Sequence, residues 1–426
     1  MKAPKQNLIQ VTLINTADTG GGAAVACTRL LKALAGKVNV QMLVQYKKSK
    51  PPKIISILKT KFDFLRAKLN FLYERLPFIA FYEKNKNVRF AFSTANVGTN
   101  ISKNNIIREA DVLHLHWINS GFLSIKNINQ LFNLKKPIVF TLHDMWAFTG
   151  GCHYAGSCNN FTENCGNCKF IRNPANNDIS KKGWLLKQNL YKQNSKIVFV
   201  ACSNWMAQMA QQSSLLQCFK IVTIPNPIDT LVFKPLNNNK IKEKLGLNAD
   251  AKVVLFGAAN INDKRKGITY LIESLNILKI KYPTLNIQIV LFGKNNSLDF
   301  KQIAFPTKNL SIITSEQDLV ELYNLADVFV LPSLEDNLPN MVMEALACGI
   351  PVVAFNQGGI PEMVDHKQNG YVAQYQSAND FAQGINWVLT NNADLLKNKA
   401  RQKVLDNYSE TVVAKKYSQV YQSLLN

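Results

Sequence analysis

Ten short apolar runs constrain this chain more than any other feature. LIQVTLI, VQMLVQY, DVLHLHW, PIVFTLH, KIVFVAC and KIVTIPN come first, and AKVVLFGAAN, NIQIVLFG, DVFVLPS and PVVAFNQGG follow. Turn or helix signals bound each run, and helical patterns separate them, which specifies parallel strands joined by crossover helices. The series breaks at IPNPIDTLVFKPLNNNK, where a Pro and Asn cluster over 225–239 reads as a linker. A chain of 426 residues exceeds the usual single-domain size and suits two domains of roughly 200 residues, each able to bury a core. The expected architecture is two doubly wound α/β domains facing each other, with ligand at the carboxyl ends of the strands.

Hydrophobic residues make up 47% and charged residues 18%, which excludes a disordered chain. The net charge of +22 is gathered rather than spread: residues 47–89 hold twelve Lys or Arg against Asp63, Glu74 and Glu83, a net +9. Within this stretch Ile54, Leu58, Phe62, Leu65, Leu69, Leu72 and Leu76 recur every three or four residues, a helical apolar stripe that Pro77 should end. Lys61, Lys68 and Arg75 border it. Two readings stay open for residues 50–77: a basic amphipathic helix on an anionic membrane surface, where each cation contributes about 1 kcal/mol, or a core-facing helix with a solvated basic rim. No nucleic-acid-binding signature accompanies the charge, so no nucleic acid partner is expected. No apolar run reaches the ~18 residues of a spanning helix, and MKAPKQNLIQ lacks a signal-peptide core. The expectation is a cytoplasmic protein.

Three stretches suggest nucleotide chemistry. TADTGGGAAVACTRLLKAL is a glycine turn between a strand and a helix, and Gly21 and Gly22 allow close backbone approach of an anion to the helix amino end. It lacks the Gly-Lys-Ser/Thr of a P-loop and the third glycine of a dinucleotide fingerprint, and a purely structural turn is the alternative. AANINDKRKGITYLIESL sets Arg265 and Lys266 before Gly267 at a helix start, suited to a diphosphate or simply solvated. LPSLEDNLPNMVMEALACG turns a buried strand into a helix that Asn337 or Asp336 would cap, with Pro339 in its first turn and Gly349 closing it. Glu335 and Asp336 precede this helix. Glu344 falls inside it among Met341, Val342, Met343, Ala345 and Leu346, and needs a partner if buried.

SLEDNLPNMVMEALACGIPVVAF resembles the acid-x7-acid signature of the retaining GT-B glycosyltransferases of family 4, and GGIPEMV matches downstream. The ordered matches extend over nearly the whole chain: the glycine turn near Gly20, HD at 143–144, the NPID linker, RKG at 265–267 and the final helix. HDMWAFTGGCHYAGSC is similar to the colanic-acid and exopolysaccharide subgroup. The resemblance implies a GT-B fold of two Rossmann-like domains across a cleft. Residues 1–228 would form an acceptor-binding domain, 229–408 a nucleotide-sugar-binding domain, and 409–426 a helix packing back on the first domain.

It further implies that Glu344 accepts hydrogen bonds from the donor ribose and that Asp336, or Glu335 one residue earlier, approaches the transferred sugar. Backbone at Asn337, Leu338 and Asn340 and the turn at Gly21 and Gly22 would face sugar or diphosphate, while Arg265 and Lys266 neutralise the diphosphate. His143 matches the family's active-site histidine and Glu362 a further polar contact. No cofactor is required for this chemistry. Two departures stand out: the first acid is Asp336 where the family usually has Glu, and Ala258 follows the strand Phe-Gly where many relatives carry Arg.

Cys152, Cys158, Cys165 and Cys168 cluster in GGCHYAGSCNNFTENCGNC, with structural zinc, disulfides or buried free thiols as the readings left open. The function implied is retaining transfer of a sugar from a UDP- or GDP-sugar to a lipid-linked glycan acceptor in cell-surface polysaccharide synthesis, on the inner face of the membrane. The alternatives are a soluble transferase with a small acceptor, or a non-catalytic sugar-nucleotide-binding protein.

Overall fold

In the computed structural model the described residues are 8–193, 196–236, 240–295 and 299–426. The MKAPKQN start and Asn237, Asn238 and Asn239 of the expected linker lie outside the described residues. The chain forms two units, Met1–Pro225 with Val413–Asn426, and Asn226–Val412.

The first unit runs β1 (Gln10–Ala17), α1 (Gly22–Ala33), β2 (Asn39–Tyr46), β3 (Ile54–Ser56), α2 (Lys61–Pro77), α3 (Asn105–Glu109), β4 (Val112–Leu115), α4 (Ile125–Phe132), β5 (Ile138–Leu142), α5 (Ile179–Tyr191), β6 (Ile197–Ala201), α6 (Asn204–Gln212) and β7 (Lys220–Thr223). Among the described residues seven parallel strands pair in the order β3-β2-β1-β4-β5-β6-β7. Strands β4, β5 and β6 are buried along their whole length, as expected of parallel strands covered on both faces. One core lies between the sheet and α4, α5 and α6, around Leu113, Phe140, Phe199 and Trp184, and another lies on α1, around Leu13, Cys27 and Val44.

The second unit runs α7 (Lys240–Lys244), β8 (Lys252–Asn260), α8 (Ile268–Lys281), β9 (Ile287–Lys294), β10 (Thr307–Leu310), α9 (Glu316–Leu325), β11 (Val328–Leu331), α10 (Asn340–Ala347), β12 (Val352–Phe355), α11 (Ile360–Met363), β13 (Gly370–Ala373), α12 (Ala378–Thr390) and α13 (Ala393–Asn407). Among the described residues six strands, again all parallel, take the order β10-β9-β8-β11-β12-β13. The last helix, α14 (Glu410–Leu425), returns to the first unit: Val413, Ala414, Tyr417 and Tyr421 are buried in the core on the α1 side.

Both sheets therefore have the doubly wound order, which reverses between β1 and β4 in one and between β8 and β11 in the other. Crevices at such reversals, at the carboxyl ends of the strands, are where these sheets bind ligands.

Two sequence expectations change. Ile54 lies on β3 and Leu58 in the loop after it, both buried, so the helical stripe starts at Phe62. The helix itself opens on a capping box, with Thr60 Oγ1 accepting from Asp63 N and Asp63 Oδ2 accepting from Thr60 N, and it gives way after Pro77 to a wider π-turn at Phe78–Tyr82. Neither Asp336 nor Asn337 caps α10. That helix starts at Asn340, and Pro339, which has no side chain able to cap, stands at its cap position.

Candidate active site

At the reversal point of the second sheet, β8 continues past Gly257 through a register shift to Asn260, so Ala258 is still strand and the following loop begins late. The loop ends in a short turn where Asp263 Oδ1 accepts from Arg265 N, and Gly267, at φ +70°, opens α8. A Cβ at Gly267 would overlap the carbonyl oxygen of Pro332, so the two loops touch through backbone. Leu334 N donates to Arg265 O at 2.7 Å, closing the contact.

Side chains follow. Lys266 Nζ pairs with Asp336 Oδ2 at 2.6 Å, and Arg265 Nη2 with Asp263 Oδ2 at 2.6 Å. On the other side of the 332–340 loop, Gly359 N donates to Asn337 O at 2.9 Å. Gly358, at φ +61°, sits where a Cβ would overlap the Asp336 carbonyl oxygen. The acid loop is thus held between the Arg265–Gly267 turn and the glycine pair leading into α11. Glu362 lies in α11, half-buried, and its carbonyl accepts from Tyr408 Oη at 3.0 Å. Burial first, and then the Glu335 carboxylate, raise the pKa of Tyr375 above the ordinary value.

Glu344 is buried on α10, and Tyr323 Oη on α9 donates to its Oε2 at 2.7 Å. Leu338 and Asn337 are also buried, while Asn340 accepts at Oδ1 from Asn226 Nδ2 at 3.3 Å. Ser333, two residues beyond β11, keeps a fully buried Oγ that has no partner among the described residues. Sequence reading missed Tyr323 and Ser333. An unpaired Glu in an apolar helix signalled that a partner must exist, but nothing in the spacing named it.

In the first unit, Gly21 and Gly22 are exposed in the turn between β1 and α1. The neighbouring Asp18 carboxylate is desolvated, yet bonds from Ser49 Oγ, Ser49 N and Lys48 N keep its pKa below the ordinary value. His143 follows β5, and its Nε2 shares a 2.9 Å hydrogen bond with Nδ1 of His116, which follows β4. Burial pushes the His143 pKa down to about 4, against the opposing pull of Asp144. His116 and His114 are pushed well below the usual imidazole value by burial first and neighbouring imidazoles second. His143 is therefore a neutral donor or acceptor at neutral pH.

Asp144 is also desolvated, but His153 Nδ1 at 2.7 Å, Trp146 N and Trp117 Nε1 stabilise its charge and lower its pKa. His116 Nε2 and Asn119 Nδ2 are buried without partners among the described residues, and both residues line a cavity of about 10 Å³ that also touches His143 and Asp144. A polar cavity of this size admits one water or one hydroxyl. Below it, His114 bonds to Tyr421 Oη and Thr141 Oγ1, and Thr141 Oγ1 to Tyr417 Oη, at 2.8, 2.7 and 3.1 Å.

Cys152, Cys158, Cys165 and Cys168 all line one cavity of about 20 Å³ as free thiols. Among the described residues no group of three or more His, Cys, Asp or Glu is arranged to hold a metal ion. Burial pushes Cys165 and Cys168 up to about 11, and it pushes the ammonium of buried Lys187, which lies over the Trp146 ring, down to about 7.

Residues 20–231 match the family model described as Glycosyltransferase Family 4, and residues 251–391 match the one described as Glycosyl transferases group 1. The chain is 29% identical over 193 residues to an uncharacterized glycosyltransferase of Haemophilus influenzae, covering 42% of this chain and 53% of that protein. It is 27% identical over 200 residues to the N,N'-diacetylbacillosaminyl-diphospho-undecaprenol alpha-1,3-N-acetylgalactosaminyltransferase of Campylobacter jejuni, covering 45% of this chain and 51% of the relative. The chain thus spans about half the length of these curated relatives. Sucrose-phosphate synthase from Thermosynechococcus elongatus superposes with a TM-score of 0.65 at 18% identity, over 97% of this chain and 98% of the other. HepE from Anabaena in complex with UDP-glucose gives 0.63 at 15%, over 97% and 99%. These structures share the fold.

Proposed function

Since the chain belongs to the family 4 glycosyltransferases of GT-B fold, its two halves each matching a transferase model, we propose that it is a retaining enzyme. In this reading it moves a sugar from a UDP- or GDP-sugar to a lipid-linked oligosaccharide or polysaccharide precursor for the cell surface. The observation that carries the reading is the Lys266 to Asp336 ion pair, seventy residues apart in sequence and brought together at the reversal point of the second sheet. Without donor, the two charges neutralise each other. With donor, the diphosphate takes the cation and Asp336 turns to sugar hydroxyls.

Glu344 accepts from the ribose hydroxyls, held in place by Tyr323. Arg265 and Lys266 stabilise the charge that grows on the diphosphate as the glycosidic bond breaks. The acceptor hydroxyl attacks the anomeric carbon on the face the diphosphate leaves, and its proton passes to the departing phosphate oxygen. His143, neutral, serves the donor sugar as a hydrogen-bonding group; Glu335 is the alternative first acid, and Glu362 a further polar contact. The lipid-linked acceptor is supported by the Campylobacter relative, whose name specifies a diphospho-undecaprenol substrate, and the nucleotide-sugar donor by the UDP-glucose held by HepE. Titration calorimetry across UDP-, GDP-, ADP- and dTDP-sugars tests the reading. Glu344→Gln should weaken binding of the preferred donor by about 1.5–3 kcal/mol, the scale of a hydrogen bond to a charged group, and unchanged affinity would remove the ribose role.

A structural zinc is a separate proposal. All four cysteines line one cavity, which favours it; the side-chain placement, in which no three ligands converge among the described residues, opposes it. Elemental analysis under reducing conditions decides. One zinc per chain upholds the proposal, and none leaves packed thiols.

A further inference from the structure

Helix α2 turns Glu74 and Arg75 inward and an apolar stripe outward. Ala67, Glu74 and Arg75 are its buried residues, whereas Phe62, Leu65, Leu69, Leu72, Tyr73 and Leu76 are exposed, Phe62 at 70%. At 3.6 residues per turn these six share one side, opposite Ala67 and Glu74. Two further rings on the segment that follows, Phe81 at 71% and Phe90 at 66%, are exposed as well. Single exposed apolar residues are ordinary, but a face of this size marks an interaction surface.

The orientation is locked. Arg75 Nη1 donates to the carbonyls of Arg89 and Phe92 at 3.2 and 2.7 Å, and Nη2 donates to Ser93 Oγ at 2.6 Å. Glu74 lies beside Arg75 at 3.7 Å. On the same inner side, the Gly121 turn approaches the backbone of Asn70 and Phe71 so closely that no Cβ fits between them. Rolling the helix to hide its apolar side would expose none of this favourably and would strand a buried ion pair. The described residues leave this outer face uncovered.

Charge selects the partner. Glu74 and Glu83 are buried beside Arg75 and Arg89, and Asp63 is occupied in the cap, while Lys59, Lys61, Arg66, Lys68, Lys84 and Lys86 remain exposed. By helical spacing Lys61 and Lys68 border one edge of the apolar side and Arg66 the other. A second copy of this chain would oppose these cations to one another. A bilayer with anionic headgroups offers apolar depth in the middle and phosphates at both edges.

We propose that α2, extended by Phe81 and Phe90, docks on an anionic lipid bilayer, and that buried bonds tie this docking face to the turn carrying His143. The tie runs from Arg75 to Ser93 Oγ, from Ser93 Oγ to His153 Nε2 at 2.9 Å, and from His153 Nδ1 to Asp144. This deepens the lipid-linked acceptor reading, on which it rests for its purpose, since a docked first unit meets such an acceptor at the membrane surface.

The test is co-sedimentation of the full chain with vesicles of phosphatidylcholine, with and without phosphatidylglycerol. The chain should bind the anionic vesicles and weaken with salt. Leu69→Asp with Leu72→Asp should lower partitioning about tenfold or more, with an unchanged melting temperature because both side chains are already exposed. In a Leu69→Trp variant the indole emission at that position should shift to the blue on binding. Failure of the wild type to bind, or equal binding by the double variant, overturns the proposal; a concentration-dependent dimer abolished by the double variant assigns the face to a second copy and overturns it too. Donor calorimetry without vesicles reports on the transferase reading alone, so the two can fail separately.

Discussion

Replacing Gly358 with Ala tests whether the position of the acid loop matters as described. Two costs follow from the geometry. At φ +61° an alanine sits in the left-handed region, a strain of about 1–2 kcal/mol. Its Cβ would also overlap the Asp336 carbonyl oxygen, with the carbonyl carbon only 3.1 Å away. Small rotations do not relieve such a clash in close-packed backbone, so the Asp336 peptide has to retreat by about 1 Å. A displacement of ~1 Å in a positioned group costs on the order of 100-fold in rate. Gly246→Ala is the control: its φ is +64°, and nothing lies within 4 Å of the new carbon. Both variants should lose about 1 kcal/mol or more in urea unfolding. Only Gly358→Ala should lose turnover, measured as donor-dependent nucleotide release, by about 100-fold. Equal turnover in the two variants would refute the claim that the glycine contact sets the position of Asp336.

Tyr323→Phe should cost about 1–3 kcal/mol in urea unfolding, because it removes the phenol that donates to buried Glu344; a change within error would mean that water replaces the hydroxyl. Acidification should destabilise the first unit, since the depressed folded pKa of His143 lets the unfolded chain bind the proton first. Stability is full above about pH 6.5 and falls as the pH drops toward about 4, by at most ~1.4 kcal/mol per unit for that group. The same depressed value predicts no His143 limb in the kcat/KM profile between about pH 5 and 8; a limb that disappears in His143→Gln would show that the imidazole ionises there.

The buried strands were legible because a parallel strand covered on both faces must be a continuous apolar run, and Val328–Leu331 or Ile197–Ala201 can be nothing else in this setting. Strands β3 and β10, at the sheet edges, escaped notice: one has three residues, the other reads Thr-Lys-Asn-Leu, and each pairs on one side only. β13 escaped as well, a four-residue Gly-Tyr-Val-Ala stretch at the opposite edge of its sheet. The candidate site residues that sequence reading named are those a motif kept close in sequence. Tyr323, Ser333 and His116 were not, since a buried partner contributed by another element leaves no periodic trace. For α2 the periodicity established that an apolar side exists, but its direction depends on Arg75 reaching the carbonyls of a loop more than ten residues away, which no helical period encodes.

The return of α14 to the first unit bears on how the protein is made. Tyr417 and Tyr421 complete the hydrogen bonds of Thr141 and His114 beneath the His143 turn, yet they are synthesised after the whole second unit. The second unit is one uninterrupted stretch, Asn226–Val412, whereas the first is closed by residues that follow it. On the ribosome the order of completion is therefore the reverse of the order of synthesis. The bonds beneath the His143 turn are completed only once α14 has left the exit tunnel, so a chain ended just after Val412 carries the whole second unit and an unfinished first one.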